Sequence, residues 1–368
     1  MRVSASVALS CLLALASGPQ AARGQFPAPA QVPVAPPVEQ LSAPVPFDEW
    51  LAGLRAEALS KGISRRTVDD ALGSVERLPV VVERDRTQAE VTLAIDLYLR
   101  RRLTPRMIRD ARSEAKRHRA DLLRVARQFG VPGSVVVAIW GLESNFGRFQ
   151  GVRPTVPALA TLAYDGRRQA LFRDELLAAL RILDGGDVPP NALKGSWAGA
   201  MGQAQFMPSS YRAFAADGDG DGRRDIWTSL PDVFASIANY LKAHGWAAGE
   251  RWGREVRLTE KLAARVAASV PLRLIGPCQA IRGMSEARPL SEWRTLGVTQ
   301  RSGALLPKSD VPASLVRVDT RRFLVYRNYE ALLAYNCANT YALSVALLSD
   351  RIGIRQAEIA DSKRPLMR

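Results

Sequence analysis

The chain has 368 residues, 47% hydrophobic and 24% charged, so it is long enough to bury one large core or two lobes. Its formal net charge of +15 indicates an anionic partner, such as nucleic acid, a membrane surface or a carboxylate-bearing polymer. Nucleic acid is disfavoured, because the arginines are scattered along helical segments and the sequence has no aromatic RNA-binding motif, zinc-finger spacing or isolated basic tail.

The N-terminus has the form of an export signal. Arg2 is followed by an apolar run that is too short to span a bilayer, which predicts a signal peptide over residues 1–22 and no transmembrane segment. We expect export to the periplasm; lipoprotein anchoring at Cys11 is the less favoured alternative. Residues 23–46 are rich in Pro and Ala and nearly uncharged, which predicts an extended tether.

Folded structure is expected over residues 47–355, followed by a tail at 356–368. Apolar residues recur at helical spacing from Phe47 to about Leu183, and again over Pro231–His244 and Tyr326–Ile352. Between about 250 and 322 the spacing loosens and β-branched residues alternate, which predicts a small strand-containing insert. The fold class predicted from these segments is mainly α.

Two cysteines remain once the signal is removed. Cys278 and Cys337 form an even pair in what would be an oxidising compartment, which favours a disulfide between them. The alternative is two unpaired buried thiols.

Elimination narrows the chemistry that the chain can perform. The only histidines are His118 and His244, and neither accompanies a serine or cysteine nucleophile motif. Clustered zinc ligands, dinucleotide-binding glycine loops and phosphate-binding loops are also missing from the sequence. Carboxylate chemistry remains, and it requires no cofactor.

Glu143 is the strongest candidate for that chemistry. It ends the segment Pro132–Glu143, which has no polar face and must therefore lie inside the protein. Ser144-Asn145-Phe146-Gly147 should end the helix at a cleft. Desolvation of a carboxyl there raises its pKa, as a general acid working near neutral pH requires. The alternative is a structural Glu paired with backbone or arginine.

A second dense stretch runs from Gly195 to Tyr211. Its small residues let a ligand approach the backbone, Gln205 and Ser209 offer hydrogen bonds, and Trp197 and Phe206 offer flat faces. That combination suits a sugar. Tight packing of a Gly/Ala helix is the alternative.

The loop from Asp217 to Thr228 has the spacing of a calcium-binding loop. Carboxylates stand at positions one, three, five and nine, glycine stands at six, and position seven offers a main-chain carbonyl. Thr228 is weak at position twelve unless Asp232 reaches in. The predicted ligands of a structural Ca²⁺ or Na⁺ are Asp217, Asp219, Asp221, Arg223 and Asp225; the alternative is a plain Asp/Gly turn.

Three motifs, in this order and at this spacing, resemble the lytic murein transglycosylase B family. They are ESNFG at 143–147, GAMGQAQFMPSSY at 199–211 and NYLKAHGW at 239–246, and the resemblance covers about 47–353. It implies a lysozyme-like helical catalytic core with an additional helical lobe. It also implies that peptidoglycan glycan strands are the substrate, and it favours the metal loop over a plain turn. We expect a monomer.

The resemblance implies that one acid does the chemistry. Glu143 would protonate the oxygen between N-acetylmuramic acid and N-acetylglucosamine and then take the proton of the muramyl C6 hydroxyl, leaving a 1,6-anhydro end. A second carboxylate, which most glycosidases need, becomes unnecessary. Arg167 and Arg168 would meet substrate carboxylates, although Leu171 replaces an expected aromatic. The remaining substrate-binding residues implied are Ser144, Asn145, Gln205, Phe206, Tyr240, Tyr335, Asn336 and Tyr341.

Two other functions are compatible with the sequence. A hydrolytic muramidase on the same fold would add water and leave a reducing muramic acid. A catalytically silent wall-binding scaffold would release no fragments, but it has no need of a carboxyl at the end of an apolar helix.

Overall fold

The computed structural model describes residues 45–87, 94–165 and 167–353. The predicted signal peptide, Cys11, all but the last two residues of the tether and the tail lie outside the described residues. One compact unit begins at Pro46, one residue before the predicted start of folded structure.

Helices dominate the described residues, and several of them begin at a Ser or Thr whose side chain caps the helix. Ser64, Thr104 and Ser229 each accept an N–H of the first helical turn. The helices are α1 (Phe47–Ser60), α2 (Arg65–Leu72), α3 (Pro79–Thr87), α4 (Ile95–Arg102), α5 (Pro105–Arg117), α6 (Arg119–Phe129), α7 (Gly133–Ser144), α8 (Thr155–Asp165), α9 (Gln169–Asp184), α10 (Pro208–Phe214), α11 (Leu230–Ala243), α12 (Glu260–Ser269), α13 (Gln279–Arg282), α14 (Leu290–Leu296), α15 (Arg327–Tyr335) and α16 (Asn339–Ile352).

Helix α7 lies at the centre of this arrangement. Every residue of the helix except Glu143 is buried, as the lack of a polar face predicts. Helices α5, α6, α11 and α16 pack around it. Burial on all sides fixes the position of whatever side chain stands at its end.

The strands form a two-stranded pair and a separate five-stranded antiparallel sheet. The pair joins β1 and β2, and the order in the larger sheet is β4-β6-β7-β3-β5. The strands are β1 (Arg153–Pro154), β2 (Lys194–Gly195), β3 (Gly253–Arg257), β4 (Arg288–Pro289), β5 (Thr299–Gln300), β6 (Pro312–Val318) and β7 (Arg321–Val325).

The five-stranded sheet accounts for the loosened pattern between 250 and 322, although its last strand runs on to Val325. Strand β6 is buried continuously from Ala313 to Val316 rather than alternating. The reason is that Val316 faces the helical core while Leu315 faces a second, smaller core around Trp293. A strand covered on both faces has no polar face to alternate.

Cys278 and Cys337 form a disulfide, as the sequence favoured, and are not two unpaired thiols. The bond joins the start of α13 to the connection between α15 and α16. Among the described residues, no single helix is both long and apolar enough to cross a membrane. The bent pairs α6 with α7 and α15 with α16 reach that length and composition only when taken together.

Candidate active site

The turn after α7 presents Glu143 at the surface of the core. Asn145 ends the helix in the left-handed region at φ 50°, and Gly147 follows at φ 78°. A Cβ at Gly147 would lie 2.4 Å from the side-chain oxygen of Gln203, so only glycine fits. Ser144 locks the turn, because its hydroxyl accepts the N–H of Gly147 at 3.1 Å and donates to the carbonyl of Trp140 at 3.1 Å.

Burial makes the Glu143 carboxyl a weak acid. Desolvation is the largest influence, and the net pKa rises from 4.5 to about 7. Two neighbours oppose that rise: the Tyr341 hydroxyl donates to Oε1 at 2.6 Å, and the positive charge of Arg102 favours the ionised form. Arg102 itself is held by the Leu142 carbonyl, to which it donates at 2.9 Å. A carboxyl with a pKa near 7 can both give and take a proton near neutral pH.

A row of aromatic rings extends from Glu143. The Tyr341 and Tyr335 rings are nearly parallel with centroids 6.4 Å apart, and Tyr240 lies edge-on to Tyr335 at 4.9 Å. Burial raises the pKa of all three phenols, that of Tyr240 to about 12. They therefore stay protonated at neutral pH and act as donors rather than as bases.

Two of these phenols are fixed by backbone carbonyls. Tyr335 donates to the carbonyl of Ala204 at 2.7 Å, and Tyr240 donates to the carbonyl of Ala334 at 2.7 Å. The first bond links α15 to the segment that carries Gln205. The row is thereby joined to the Gly-rich stretch.

The Gly-rich stretch is a tight hairpin rather than a helix. Met201 and Phe206 exchange backbone hydrogen bonds of 2.8 and 3.1 Å, and Gln205 sits between them in the left-handed region at φ 50°. The Gln205 amide donates to the carbonyls of Gly202 at 2.8 Å and Gln150 at 3.2 Å. Because Gln150 follows Glu143 by seven residues, this bond places Gln205 near the turn that carries Glu143.

The arginine pair is anchored by a buried acid. Asp85 on α3 is almost fully buried, and it pairs with Arg167 at 3.4 Å and Arg168 at 3.1 Å. Hydrogen bonds from both arginines hold the pKa of Asp85 below its usual range against the effect of burial. Both arginine side chains remain at least half exposed, so each keeps donors for another anion.

The Asp/Gly loop brings together a different set of carboxylates from the predicted one. Oxygens of Asp217, Asp219 and Asp232 lie within 4.8 Å of one another. Asp232 is buried and receives the N–H groups of Gly218 and Asp225 at 2.7 Å each, so it does reach into the loop.

The other predicted ligands of this loop lie outside that group. Asp221 accepts the N–H of Arg223 at 2.8 Å, and Asp225 accepts those of Trp227 and Thr228 at 2.8 Å each. The three clustered carboxylates suit a hard cation such as calcium, which prefers oxygen ligands.

Comparison with known proteins identifies the family. Residues 46–350 match the family model described as Transglycosylase SLT domain. The chain belongs to this transglycosylase family. It is 29% identical to membrane-bound lytic murein transglycosylase B of Escherichia coli K12 over 311 residues, covering 81% of this chain and 80% of that protein.

Solved structures agree with this assignment. SltB3 of Pseudomonas aeruginosa, solved with NAG-anhNAM-pentapeptide, superposes with a TM-score of 0.76 at 42% identity, covering 83% of this chain and 79% of that one. Lytic transglycosylase Slt35 of E. coli, solved with calcium, gives 0.69 at 28% identity, covering 83% and 92%. The fold of this transglycosylase is therefore lysozyme-like, mainly helical with small sheets, as the sequence predicts.

Three predicted substrate contacts of the transglycosylase are buried. Ser144 is fully buried, and its hydroxyl is used within the turn. Phe206 is 2% exposed, because its ring packs against Tyr240 and Tyr335. Tyr341 is 5% exposed, and its hydroxyl donates to Glu143. All three residues therefore support the site from beneath. Ser209 is likewise occupied, since its hydroxyl donates to the buried Glu175 at 2.6 Å.

The remaining predicted residues fall into two groups. Glu143, Gln205, Tyr240, Tyr335 and Tyr341 are brought together around the turn and the hairpin. Asn336 is exposed directly after α15, and Asn145 is partly exposed at the end of α7.

Sequence reasoning missed two supporting residues. Gln203 accepts the indole N–H of Trp140 at 2.7 Å and donates to the carbonyl of Trp227 at 2.8 Å, which fixes the hairpin against α7. Its place in the glycine-rich motif is a signal that could have singled it out. Arg102 lies 41 residues before Glu143, outside every recognised motif, and carries no such signal.

Proposed function

We propose that this lytic transglycosylase cleaves the β-1,4 bond between N-acetylmuramic acid and N-acetylglucosamine without water. The observation that carries the proposal is a single partly buried carboxyl whose pKa is about 7. Its pKa is raised by burial, and a phenol and a guanidinium oppose that rise. Glycosidases that use water or an enzyme nucleophile depend on a second carboxylate, which the proposed reaction does not need because the acceptor is the substrate's own hydroxyl.

The proposed steps conserve atoms and charge. Protonated Glu143 gives its proton to the glycosidic oxygen as the bond from that oxygen to C1 of the muramyl residue breaks. The Glu143 carboxylate then removes the proton of the muramyl C6 hydroxyl, whose oxygen bonds to C1. Glu143 is protonated again at the end, and the glycan carries a 1,6-anhydro end. P. aeruginosa SltB3 has been solved with both NAG-NAM-pentapeptide and NAG-anhNAM-pentapeptide, which supports this choice of reaction.

Tyr341 holds the carboxyl in place during these steps. Its hydroxyl remains a donor throughout, because burial and the charge of Glu143 raise its pKa. A donor to Oε1 stabilises the ionised carboxylate after the first proton transfer and leaves Oε2 to face the substrate. Tyr341 itself is buried, so we assign it a positioning role.

The substrate surface is assigned to partly exposed residues of the site. We assign Gln205 and Asn145 to the sugars next to the scissile bond, and Tyr240, Tyr335 and Asn336 to the neighbouring wall of the groove. Arg167 and Arg168 are assigned to the lactyl or peptide carboxylates, since their exposed guanidinium groups have donors beyond those used by Asp85.

We assign a structural cation to the loop that follows the hairpin, with Asp217, Asp219 and Asp232 as its carboxylate ligands. Calcium suits this oxygen-rich set, and E. coli Slt35 has been solved with calcium. The cation would tie the hairpin to the start of α11 and takes no part in the proton transfers. We further propose that the protein is exported to the periplasm, that its catalytic domain covers residues 47–355, and that it is a monomer.

The test is the mass of the products. Purified protein should release muropeptides with anhydro ends from isolated sacculi. Glu143→Gln should release none, although its melting temperature should be at least as high as that of the wild type. Fragments heavier by one water throughout would show hydrolysis instead. Full activity in Glu143→Gln would show that Glu143 is not the acid of the reaction. If the wild type released no fragments, the protein would instead be a wall-binding scaffold.

A further inference from the structure

Positive charge is concentrated on the helices that run from the end of α4 through α6. Residues 100–127 contain eleven arginines and lysines but only three acids, so this stretch has an excess of eight positive charges, over half of the chain's net +15. Like charges at this density repel one another, and an anionic partner would relieve that repulsion. The concentration of charge therefore indicates a binding surface for an anion.

Helix α5 presents a continuous set of these charges on one side. Arg106, Arg109, Arg112 and Lys116 are all exposed, whereas the opposite side of the helix, which includes Ala111, is buried. Their spacing of three or four residues places the four cations on the same side of the helix. From Arg106 to Lys116 this side, the α5 cationic face, is about 15 Å long.

The protein's own acids do not neutralise this face. Glu114 is buried, and it pairs with Arg117 at 2.9 Å. Arg112 donates through Nε to a backbone carbonyl at the end of α16 at 2.7 Å, which adds no negative side chain. Arg109 and Lys116 have no ion pair or side-chain hydrogen bond within the described ranges. These two cations are therefore available to an anion from outside.

The α5 cationic face begins beside the turn that carries Glu143. Asp110 pairs with Arg106 at 3.8 Å and with Arg148 at 3.5 Å, and Arg148 follows Glu143 by five residues. Lys116 lies six residues further along α5 than Asp110, which is about 9 Å. A polymer held at Glu143 can therefore reach the face with a part that extends beyond the groove.

The chemistry of the face favours a carboxylate-bearing polymer over a membrane. Helices that lie on a membrane combine basic residues with exposed Trp, Phe or Leu. All residues of α4, α5 and α6 are described, and none of their large hydrophobic side chains is exposed. Arginine suits planar carboxylates, which can accept two parallel N–H groups. The stem peptides of peptidoglycan carry such carboxylates.

We propose that the α5 cationic face is a second, non-catalytic binding surface for peptidoglycan, which holds stem-peptide carboxylates outside the cleavage groove. The inference rests on the proposed function for the identity of the polymer. Attachment to the sacculus then depends on residues that take no part in the proton transfers, so binding can be weakened without any change at Glu143.

Sedimentation with isolated sacculi at low salt measures this binding, and Glu143→Gln is the parent protein because it should leave the sacculi intact. Adding Arg109→Gln and Lys116→Gln should weaken binding about five- to tenfold, the loss expected for two exposed ion pairs. The loss should disappear in about 0.5 M NaCl, because salt screens exposed charges. Arg257→Gln with Lys261→Gln is the matched control, since it also removes one exposed arginine and one exposed lysine, and it should bind as the parent does.

Two further samples identify the partner. Sacculi whose carboxylates have been converted to amides with a carbodiimide and glycinamide should bind the parent and the α5 variant equally. Vesicles of phosphatidylglycerol and phosphatidylcholine test the membrane as the alternative. Product analysis of the wild type tests the proposed function separately, because sedimentation does not depend on turnover.

Three results would overturn the proposal. The first is that the α5 variant binds sacculi as tightly as the control variant does. The second is that the difference between parent and α5 variant persists on amidated sacculi, which would show that the face does not bind carboxylates. The third is that the α5 variant loses binding to vesicles but not to sacculi, which would make the face a membrane surface.

Discussion

Replacing Glu143 by Gln should stabilise the fold at alkaline pH and leave it unchanged at acidic pH. The folded pKa of about 7 lies above the ordinary value of 4.5. Between these two values the unfolded chain loses a proton that the folded chain keeps, so the stability of the wild type falls as pH rises. Gln carries no proton to lose, and its oxygen can still accept the Tyr341 hydroxyl. The stability of the variant therefore lacks the fall with rising pH that Glu143 causes in the wild type.

The pKa shift sets the size of the effect. A rise from 4.5 to about 7 is about 2.5 units, and at 1.36 kcal/mol per unit this corresponds to at most about 3 kcal/mol. The full difference is reached only above pH 7, and below pH 4.5 it vanishes because both states of the wild type are protonated. At about 2.1 cal/mol/K of unfolding entropy per residue and roughly 300 folded residues, the corresponding gain in melting temperature is about 5 °C.

Scanning calorimetry of the wild type and Glu143→Gln at pH 4.5 and pH 8, with calcium saturating in every sample, measures this difference. Glu76→Gln is the matched control, because Glu76 is exposed in the connection between α2 and α3. The melting temperature of the control should equal that of the wild type at both pH values. A gain in Glu143→Gln that is the same at pH 4.5 and pH 8 would refute the argument, since it would not come from ionisation of the carboxyl.

Three further predictions concern the supporting groups. First, kcat/KM should fall as pH rises through about 7, and Tyr341→Phe should move that fall to higher pH, because it removes a hydrogen bond that lowers the pKa of Glu143; an unmoved profile would contradict this. Second, calcium should raise the melting temperature of the wild type and of Asp221→Asn but not of Asp232→Asn, because Asp232 belongs to the carboxylate cluster and Asp221 does not. If both variants lost the stabilisation by calcium equally, the ligand set predicted from sequence would be favoured. Third, reduction of the disulfide at Cys278, which bridges a separation of 59 residues, should lower the free energy of unfolding by about 2–4 kcal/mol in chemical denaturation, and no change would indicate a compact unfolded state.

The sequence predicted a carboxyl with a raised pKa at the end of α7 because the signal is local. An apolar helix without a polar face must be buried, and the residues after Glu143 include the asparagine and glycine that take left-handed backbone. Burial at a helix end and a raised pKa follow from those facts alone. The disulfide was favoured for an equally local reason, since only two cysteines remain beyond the signal.

Residue type alone could not separate groove-lining side chains from those beneath the groove. Ser144 and Phe206 both belong to recognisable motifs. The Ser144 hydroxyl is hydrogen-bonded within the turn, and the Phe206 ring packs against Tyr240 and Tyr335. Which side of a hairpin faces solvent depends on what packs against it. For Phe206 the neighbours come from α11 and α15, far away in sequence.

The ligand set of the Asp/Gly loop shows the same limit. Spacing within the loop selects Asp221 and Asp225, but their carboxylates lie outside the group formed by Asp217, Asp219 and Asp232. The third member of the cluster, Asp232, comes from the first turn of α11, which folds back onto the loop.

In the proposed reaction a single carboxyl suffices, because its surroundings make both of its protonation states usable. Burial alone would hold Glu143 protonated, which suits the first proton transfer and opposes the second. The Tyr341 hydroxyl and the Arg102 charge favour the ionised form, and together with burial they bring the pKa to about 7. The energies of the two states are then nearly equal at neutral pH, so neither transfer works against a large difference. A reaction whose acceptor is the substrate's own hydroxyl needs that balance more than it needs a second acid.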